Sequence, residues 1–541
     1  MTRLPWRARW VCPLGAKLQT AGHRVLLHLP KGTPATTFKL VLWSGNSAEL
    51  SKFGGLLDGE PGMVDFAKGG PAHWPQDVVT KGVLATSKTP DGAYVTDSLT
   101  PPIENPWKRR VRFGGLDFFS NGKRAALCTW DGDVWIVSGI DDKLGNLTWK
   151  RFASGMYETL GLKIVNDVIY TSGRDQLTRY HDLNNDGEAD YYQNFCNRYT
   201  STEGFHEFVF DLQTDRAGNF YIAKAGPVNP GGSGFQHIAA NAGTLMKIAR
   251  DGKKLEVIAT GFRAPNGIGV SPDGQLTTGD NQGTWVPTDP LNWIRPGGFY
   301  GVVDTAHRTP VPEFKPPLMW FAYREYDNST GGQVWVNSDK WGPFRGELLH
   351  TSYGKCALYL IMRQEVGELI QGGAARFPLR FSSSAMRPRF NPTDGQLYIA
   401  GLQGWQTEAA KISGLDRVRY TGKLVYMARA LTVDKAGIHI TFTQPLEPNE
   451  ASDPQNYSGK RWNYRRTSNY GSDEYSVANP DKQGRDTLNI TAATLAPDGK
   501  TVTLTVEDLR PAMVEIIRFN LKAKDGTPIA SEIQHTINAI L

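Results

Sequence analysis

Between about Arg110 and Gly422 the sequence repeats one strand–turn–strand unit six times, and this repeat limits the folds open to the chain more than any other feature. Each copy is a short apolar run, a turn rich in Asp, Asn and Gly, and a second run rich in Tyr, Val, Ile or Trp. The copies pair residues 115–118 with 130–135, 161–164 with 167–170, 206–209 with 217–221, 266–270 with 272–276, and 386–390 with 393–398, with a divergent copy around 333–336. Hairpin turns recurring at intervals of roughly 40 to 60 residues are the mark of four-stranded propeller blades, which cannot bury their faces singly and so stack around an axis. The pattern predicts an all-β chain with a six-bladed β-propeller over residues 109–425. Sandwiches and solenoids lack this grammar.

The flanks read differently. Residues 1–108 give alternating runs such as 25–29 and 38–43 between Gly- and Pro-rich connections, a β-rich N-terminal extension whose abrupt start suggests truncation. Residues 426–541 alternate at 436–442 and again at 501–506, after the turn Pro497-Asp498-Gly499-Lys500. They predict a separate, immunoglobulin-like β-sandwich. The 58 glycines, 33 prolines, 15 tryptophans, 20 tyrosines and 23 phenylalanines suit many short strands and tight turns.

Charge and cysteine usage narrow the function classes. Sixty Lys plus Arg against 54 Asp plus Glu leave a net charge of +6, scattered except at Lys108-Arg109-Arg110 and Arg465-Arg466, so no nucleic-acid footprint is visible. Cys12, Cys128, Cys196 and Cys356 are too far apart for a zinc spacing or a C-x-x-C-H haem attachment, and leave one or two disulfides open. No run of about 18 apolar residues is present to span a membrane. The N-terminus shows no apolar export-signal core.

Three sets of residues carry candidate chemistry. In Asp182-Leu183-Asn184-Asn185-Asp186-Gly187-Glu188-Ala189-Asp190, Asp182, Asn184, Asp186 and Asp190 fall at positions 1, 3, 5 and 9 around a Gly turn. With the Glu188 carbonyl at position 7 this matches the first half of a calcium loop, although position 12 is Gln193, which lacks the bidentate carboxylate. A polar turn held by its own Asp and Asn side chains is the other reading. His206 opens the third predicted inner strand and so faces the central channel, where an imidazole can act as a general base. Arg263, ahead of the fourth inner strand, and Arg387 and Arg389 in the sixth, would converge on the same channel and suit an anionic ligand or polycarboxylate cofactor. Bridging between blades is the equal alternative. Trp285, Trp293 and Trp405 follow inner strands, where an aromatic face stacks on sugar rings or simply packs.

At these residues the chain resembles the soluble glucose/sorbosone dehydrogenase superfamily, six-bladed propellers that bind pyrroloquinoline quinone and calcium. The similar features are His206 ahead of an inner strand, the phrase Gly261-Phe262-Arg263-Ala264-Pro265-Asn266-Gly267, the following Ser271-Pro272-Asp273-Gly274-Gln275-Leu276, and Gly298-Phe299-Tyr300-Gly301. The resemblance implies that His206 takes the hydroxyl proton of an alcohol substrate and that Arg263 touches the quinone; Asn266, Arg387 and Arg389 are further residues expected to bind the cofactor. The family places Asn directly after the Arg; here that position is Ala264, with Asn266 shifted. The Asp182 loop is not where those enzymes hold quinone-bound calcium.

From about His23 onward the chain also resembles a family of large bacterial propeller proteins, through Glu104-Asn105-Pro106-Trp107-Lys108, the run 128–135 and the run 336–343. Members are often exported and accompany cytochrome-type haem modules. The leading expectation is therefore a periplasmic or secreted oxidoreductase acting on a sugar or other alcohol, with a cytochrome-type acceptor and calcium stiffening the Asp182 loop. A carbohydrate-binding or scaffolding propeller is the second. The third is a cofactor-free hydrolase or lyase using His206 with Glu207 or another channel carboxylate, which strand alternation weakens by turning Glu207 the other way.

Overall fold

A computed structural model of the chain describes residues 66–87 and 92–540, together with the short stretches 10–11, 15–21, 24–34 and 39–40. Residues 1–68 and 69–541 are separate compact units. In the first, Lys17–Ala21 and Arg24–His28 pair as an antiparallel hairpin and Trp10–Val11 pairs with Lys39–Leu40. The remainder of the expected strand at 38–43 lies outside the described residues.

The second unit is a β-propeller. Its sheets are antiparallel, and within each the strands from the first outward follow chain order as a meander, with edge strands added to three of them from elsewhere in the chain. Five begin at Phe113–Phe118, Gly161–Val165, Val209–Thr214, Ile268–Val270 and Thr330–Trp335; the last begins at Arg387–Phe390. These first strands neighbour one another in a closed ring, the last beside the first. Two segments N-terminal to residue 109 belong to the propeller: Val78–Thr80 adds an edge to the first sheet, and Tyr94–Ser98 pairs with Ser413–Tyr420 to complete the last. Strands from before and after the rest of the ring thus close one sheet.

The turn residues do the work expected of them. Gly132, in the Asp-Gly turn of the first sheet, has φ +88°, and a Cβ there would lie 2.1 Å from the Met156 carbonyl oxygen. Gly161, where two first strands approach, would place a Cβ 2.2 Å from the Asp211 carbonyl carbon. Between sheets the cores are apolar: Phe113, Trp135 and Trp149 are sealed in one, and Cys128, Val134, Phe152 and Leu162 in the next. Cys128, Cys196 and Cys356 are buried free thiols; Cys12 lies outside the described residues.

The C-terminal residues form two facing sheets around a core that includes Leu431, Ile440, Phe442, Leu504, Phe519 and Ile533. One is Ala428–Asp434, Gly437–Phe442, Thr501–Val506 and Ile490–Leu495. The other continues a propeller sheet: Leu369–Arg376 pairs with Pro528–Ile537, which pairs with Ala512–Lys522 and then Tyr457–Tyr464. Where the sequence suggests an appended module, the backbone ladder runs across the boundary, with Gly373 opposite His535. Gln534 bonds both the Trp320 carbonyl and the Ala322 N–H.

Candidate functional site

At one end of the ring, the turns around the first strands enclose a cavity of about 330 Å³. His206, Arg263, Asn266 and Trp405 line it, together with Asn281, Gln282, Tyr323, Tyr353 and Tyr470, which no sequence motif singles out. Arg263 is the one ionised side chain among the lining residues described. The cavity therefore presents a positive charge, amide groups and aromatic faces.

His206 does not open a strand. It stands in a turn three residues before Val209–Thr214, in the left-handed region at φ +63°. That conformation is uncommon for a residue with a Cβ and holds the ring toward the cavity. The imidazole packs edge-on against Phe208 and Trp405, with ring centroids 4.9 and 5.4 Å away. Its Nδ1 is buried without a hydrogen-bond partner. Burial first, and then the Arg263 charge, push its pKa down to about 3, so the ring is neutral at physiological pH.

Glu207 is sealed away from the cavity. Its carboxylate bonds Lys224, accepts from the Thr202 N–H and hydroxyl at 2.8 Å each, and lies 3.5 Å from Arg174. Glu207 and Lys224 are both fully buried. This carboxylate is committed to a structural ion pair and is not free to partner His206 in hydrolysis.

Arg263 is positioned by its backbone. The two oxygens of buried Asp280 accept from the N–H groups of Arg263, Ala264 and Asn281 at 2.7 to 2.8 Å. Burial nevertheless pushes Asp280 up to about 6. The guanidinium is 5% exposed, donates from one Nη to the Gly232 carbonyl at 2.9 Å, and lies over the Tyr470 ring at 5.3 Å. Its Nε is buried without a partner, and among the described residues it forms no ion pair. Burial lowers its pKa, and the nearby Tyr470, Asp280 and Asp289 oppose that shift. Behind it, Asp289 is raised well above the usual carboxylate range by burial and by Asp327.

Of the other predicted residues, Asn266 joins the cavity. Its Nδ2 donates to the Thr330 carbonyl at 2.8 Å and its Oδ1 is buried and unpartnered. Arg387 and Arg389 do not line the cavity. Arg389 pairs with Asp211 at 2.9 Å, Arg387 lies 3.9 Å from the same carboxylate, and Arg387 also donates to the Leu160 carbonyl. All three are buried inside the ring, so these arginines bridge first strands, and the expected convergence of three guanidinium groups reduces to Arg263. Trp405, 37% exposed, packs on Trp130 at 4.5 Å and presents a face to the cavity. Trp285 instead bonds Asp304, and Trp293 packs under Arg363.

The Asp182 loop is a stitch. Asp182 accepts from the N–H groups of Asp186 and Gly187, Asn184 from that of Asp186, and Asp186 from the Glu188 N–H and the Asn184 amide. Glu188, expected to contribute its backbone carbonyl, uses its side chain to accept from the His73 ring and from the His73 and Trp74 N–H groups. Asp190 accepts from the N–H groups of Gly70 and Leu183. Each side-chain oxygen already faces an N–H donor, and among the described residues no group of three or more His, Cys, Asp or Glu side chains is arranged to hold a metal. The loop fastens residues 70–74 to the second sheet.

No family model matches the chain. No curated protein matches it either. Solved structures similar to it include an oxidoreductase of glucose dehydrogenase type from Thermus thermophilus, at 15% identity and a TM-score of 0.44 over 60% of this chain and 99% of that one. The PQQ-bound aldose sugar dehydrogenase of Streptomyces coelicolor aligns at 13% identity and 0.44, over 64% and 98%. The PQQ domain of pyranose dehydrogenase from Coprinopsis cinerea aligns at 10% and 0.42, over 65% and 98%. At these identities the alignments assign no residue a role.

Proposed function

We propose that the chain is a six-bladed propeller oxidoreductase that oxidises a sugar or other small alcohol with pyrroloquinoline quinone held in the cavity. One observation carries this reading: a buried guanidinium, Arg263, lines a cavity beside a neutral imidazole and, among the described residues, forms no direct ion pair with a carboxylate. A buried cation without a directly bonded anion is costly, and a ligand carboxylate supplies one.

The residues fit such a group. Arg263 offers charge-assisted bonds to a carboxylate, and Asn266 keeps a buried oxygen unpartnered. Asn281 and Gln282 line the wall with amides, and Tyr323, Tyr353 and Trp405 offer ring faces to a planar molecule. When bound, the quinone supplies a two-electron acceptor. His206 takes the proton of the substrate hydroxyl at Nε2, since Nδ1 is shielded. An anion on Arg263 offsets the charge that holds the imidazole pKa down and so makes it a better base. On the motif resemblance alone, the proposed setting is periplasmic or extracellular, with a cytochrome-type acceptor as partner. Among the described residues no helix is long and apolar enough to cross a membrane.

The test is reduction of a redox dye by the purified chain with pyrroloquinoline quinone and a panel of aldoses and alcohols. Quinone-dependent reduction that disappears in His206→Ala supports the reading. Sugar binding without any reduction would instead favour a carbohydrate-binding propeller.

A further inference from the structure

A second cavity, of about 560 Å³, adjoins the first, and the two share Gln282 and Tyr470 as walls. Its remaining lining comes from the C-terminal residues, chiefly Arg465, Asn469, Ser472, Asp473 and Tyr475. The loop that divides the cavities is fixed to the propeller. The Trp285 N–H donates to the Thr467 carbonyl at 2.9 Å, the Gly471 N–H to the Gly283 carbonyl at 3.1 Å, and Thr284 and Tyr470 form an antiparallel bridge. Arg466 adds a bond to the Gly301 carbonyl at 2.8 Å. Between these anchors the Tyr470 ring stands against Arg263, facing the inner cavity on one side and the outer on the other.

We propose that the outer cavity is a second sugar subsite, so that the substrate is an oligosaccharide whose reacting unit lies by His206 and whose next unit passes Tyr470. This rests on the inner cavity being a sugar site. The outer wall is chemically suited to a polyhydroxyl ligand because its arginine is already paired and its carboxylate can accept from hydroxyl groups. Arg465 stacks on Tyr475 at 3.9 Å and bonds the Pro480 carbonyl and Asp481, while Asp473 accepts from Gln483 at 2.9 Å. What remains are the amides of Gln282 and Asn469, hydroxyls, and the ring faces of Tyr470 and Tyr475. Amides for hydroxyl groups and aromatic faces for the apolar face of a pyranose are the complementary set. Tyr470 is 45% exposed, so its ring is available to a ligand.

Isothermal titration calorimetry with glucose, maltose and maltotriose, and with cellobiose and cellotriose, tests this on the wild-type chain. The expected result is affinity rising at least about tenfold from glucose to the trisaccharide of one series, that is ~1.4 kcal/mol. In Asn469→Ala, an exposed position, that ratio should shrink toward one. Gly471→Ala is a second variant: its Cβ would stand 3.0 Å from the Gln282 amide and disturb the shared wall, again lowering the ratio. Equal affinities along both series, binding of none of the sugars, or a ratio unchanged in both variants overturns the proposal. Dye reduction plays no part in this measurement, so loss of oxidation leaves the subsite standing and failure of the subsite leaves oxidation untouched.

Discussion

His206 and Glu207 are adjacent in the chain and serve different environments: the imidazole stands 5.4 Å from the Trp405 indole at the cavity edge, while the Glu207 carboxylate is sealed against Lys224. The left-handed turn at His206 produces this separation. A cavity-lining imidazole and a carboxylate that supports the third sheet are thereby placed on neighbouring residues.

Glu207→Gln should destabilise the propeller by about 3 kcal/mol, because it leaves a fully buried ammonium at Lys224 without its counter-charge. Urea denaturation reads this as a lower midpoint at unchanged slope. A midpoint equal to the wild type would show that Lys224 finds water or another partner.

The pH dependence of stability should carry the mark of His206. Its folded pKa of about 3 lies below the ordinary imidazole value of 6.5, so between those values the unfolded chain binds the extra proton. The contribution is fully present above pH 6.5 and is lost as pH falls toward 3, with a slope of at most about 1.4 kcal/mol per pH unit. Asp280, raised from 3.8 to about 6, acts in the opposite sense, favouring the folded state as pH falls through that window. The difference between wild type and His206→Gln isolates the histidine: the variant should lose less stability on acidification. Identical acid profiles would remove the buried neutral imidazole from the account.

Gly283→Ala tests whether the placement of Arg263, and not only its charge, matters. A Cβ at 283 would lie 1.8 Å from the Arg263 Nε, so the guanidinium must leave its position while the cation is retained. Affinity for an anionic cavity ligand should fall about tenfold or more, as expected for losing a charge-assisted hydrogen bond. Undiminished affinity in a titration of the variant would show that the charge alone suffices.

The continuous sheet predicts that residues 69–541 unfold as one cooperative unit. Gln534→Ala would strand the Trp320 carbonyl and the Ala322 N–H in a buried place, at a cost of about 1–3 kcal/mol for each. Thermal unfolding should shift as a single transition. A new, separate low-temperature transition would instead mark the C-terminal sheets as an independent module.

The sequence made the propeller legible because its turns are local chemistry: Asp131-Gly132 and its counterparts need positive φ where they stand, and the flanking runs need to be strands. His206 and Arg263 were legible for the same reason, since their distance from a first strand fixes their end of the ring. Long-range pairings leave no such trace. Arg387 and Arg389 have the look of ligand contacts in sequence, and Asp211, on another first strand, takes them up. The oxygens of the Asp182 loop have a calcium-like spacing, but their partners include residues 70–74, far earlier in the chain. Tyr470 reaches the cavity from the C-terminal sheets, and no local pattern around it points there. The edge pairing of Gly373 with His535 is equally silent in sequence, because a strand edge accepts many partners.

The most direct test is calorimetric titration of the purified chain with pyrroloquinoline quinone. The predicted result is saturable binding at one site per chain, weakened at least about tenfold in Arg263→Gln with the thermal transition retained. Absence of saturable binding, or equal affinity in wild type and Arg263→Gln, would contradict it.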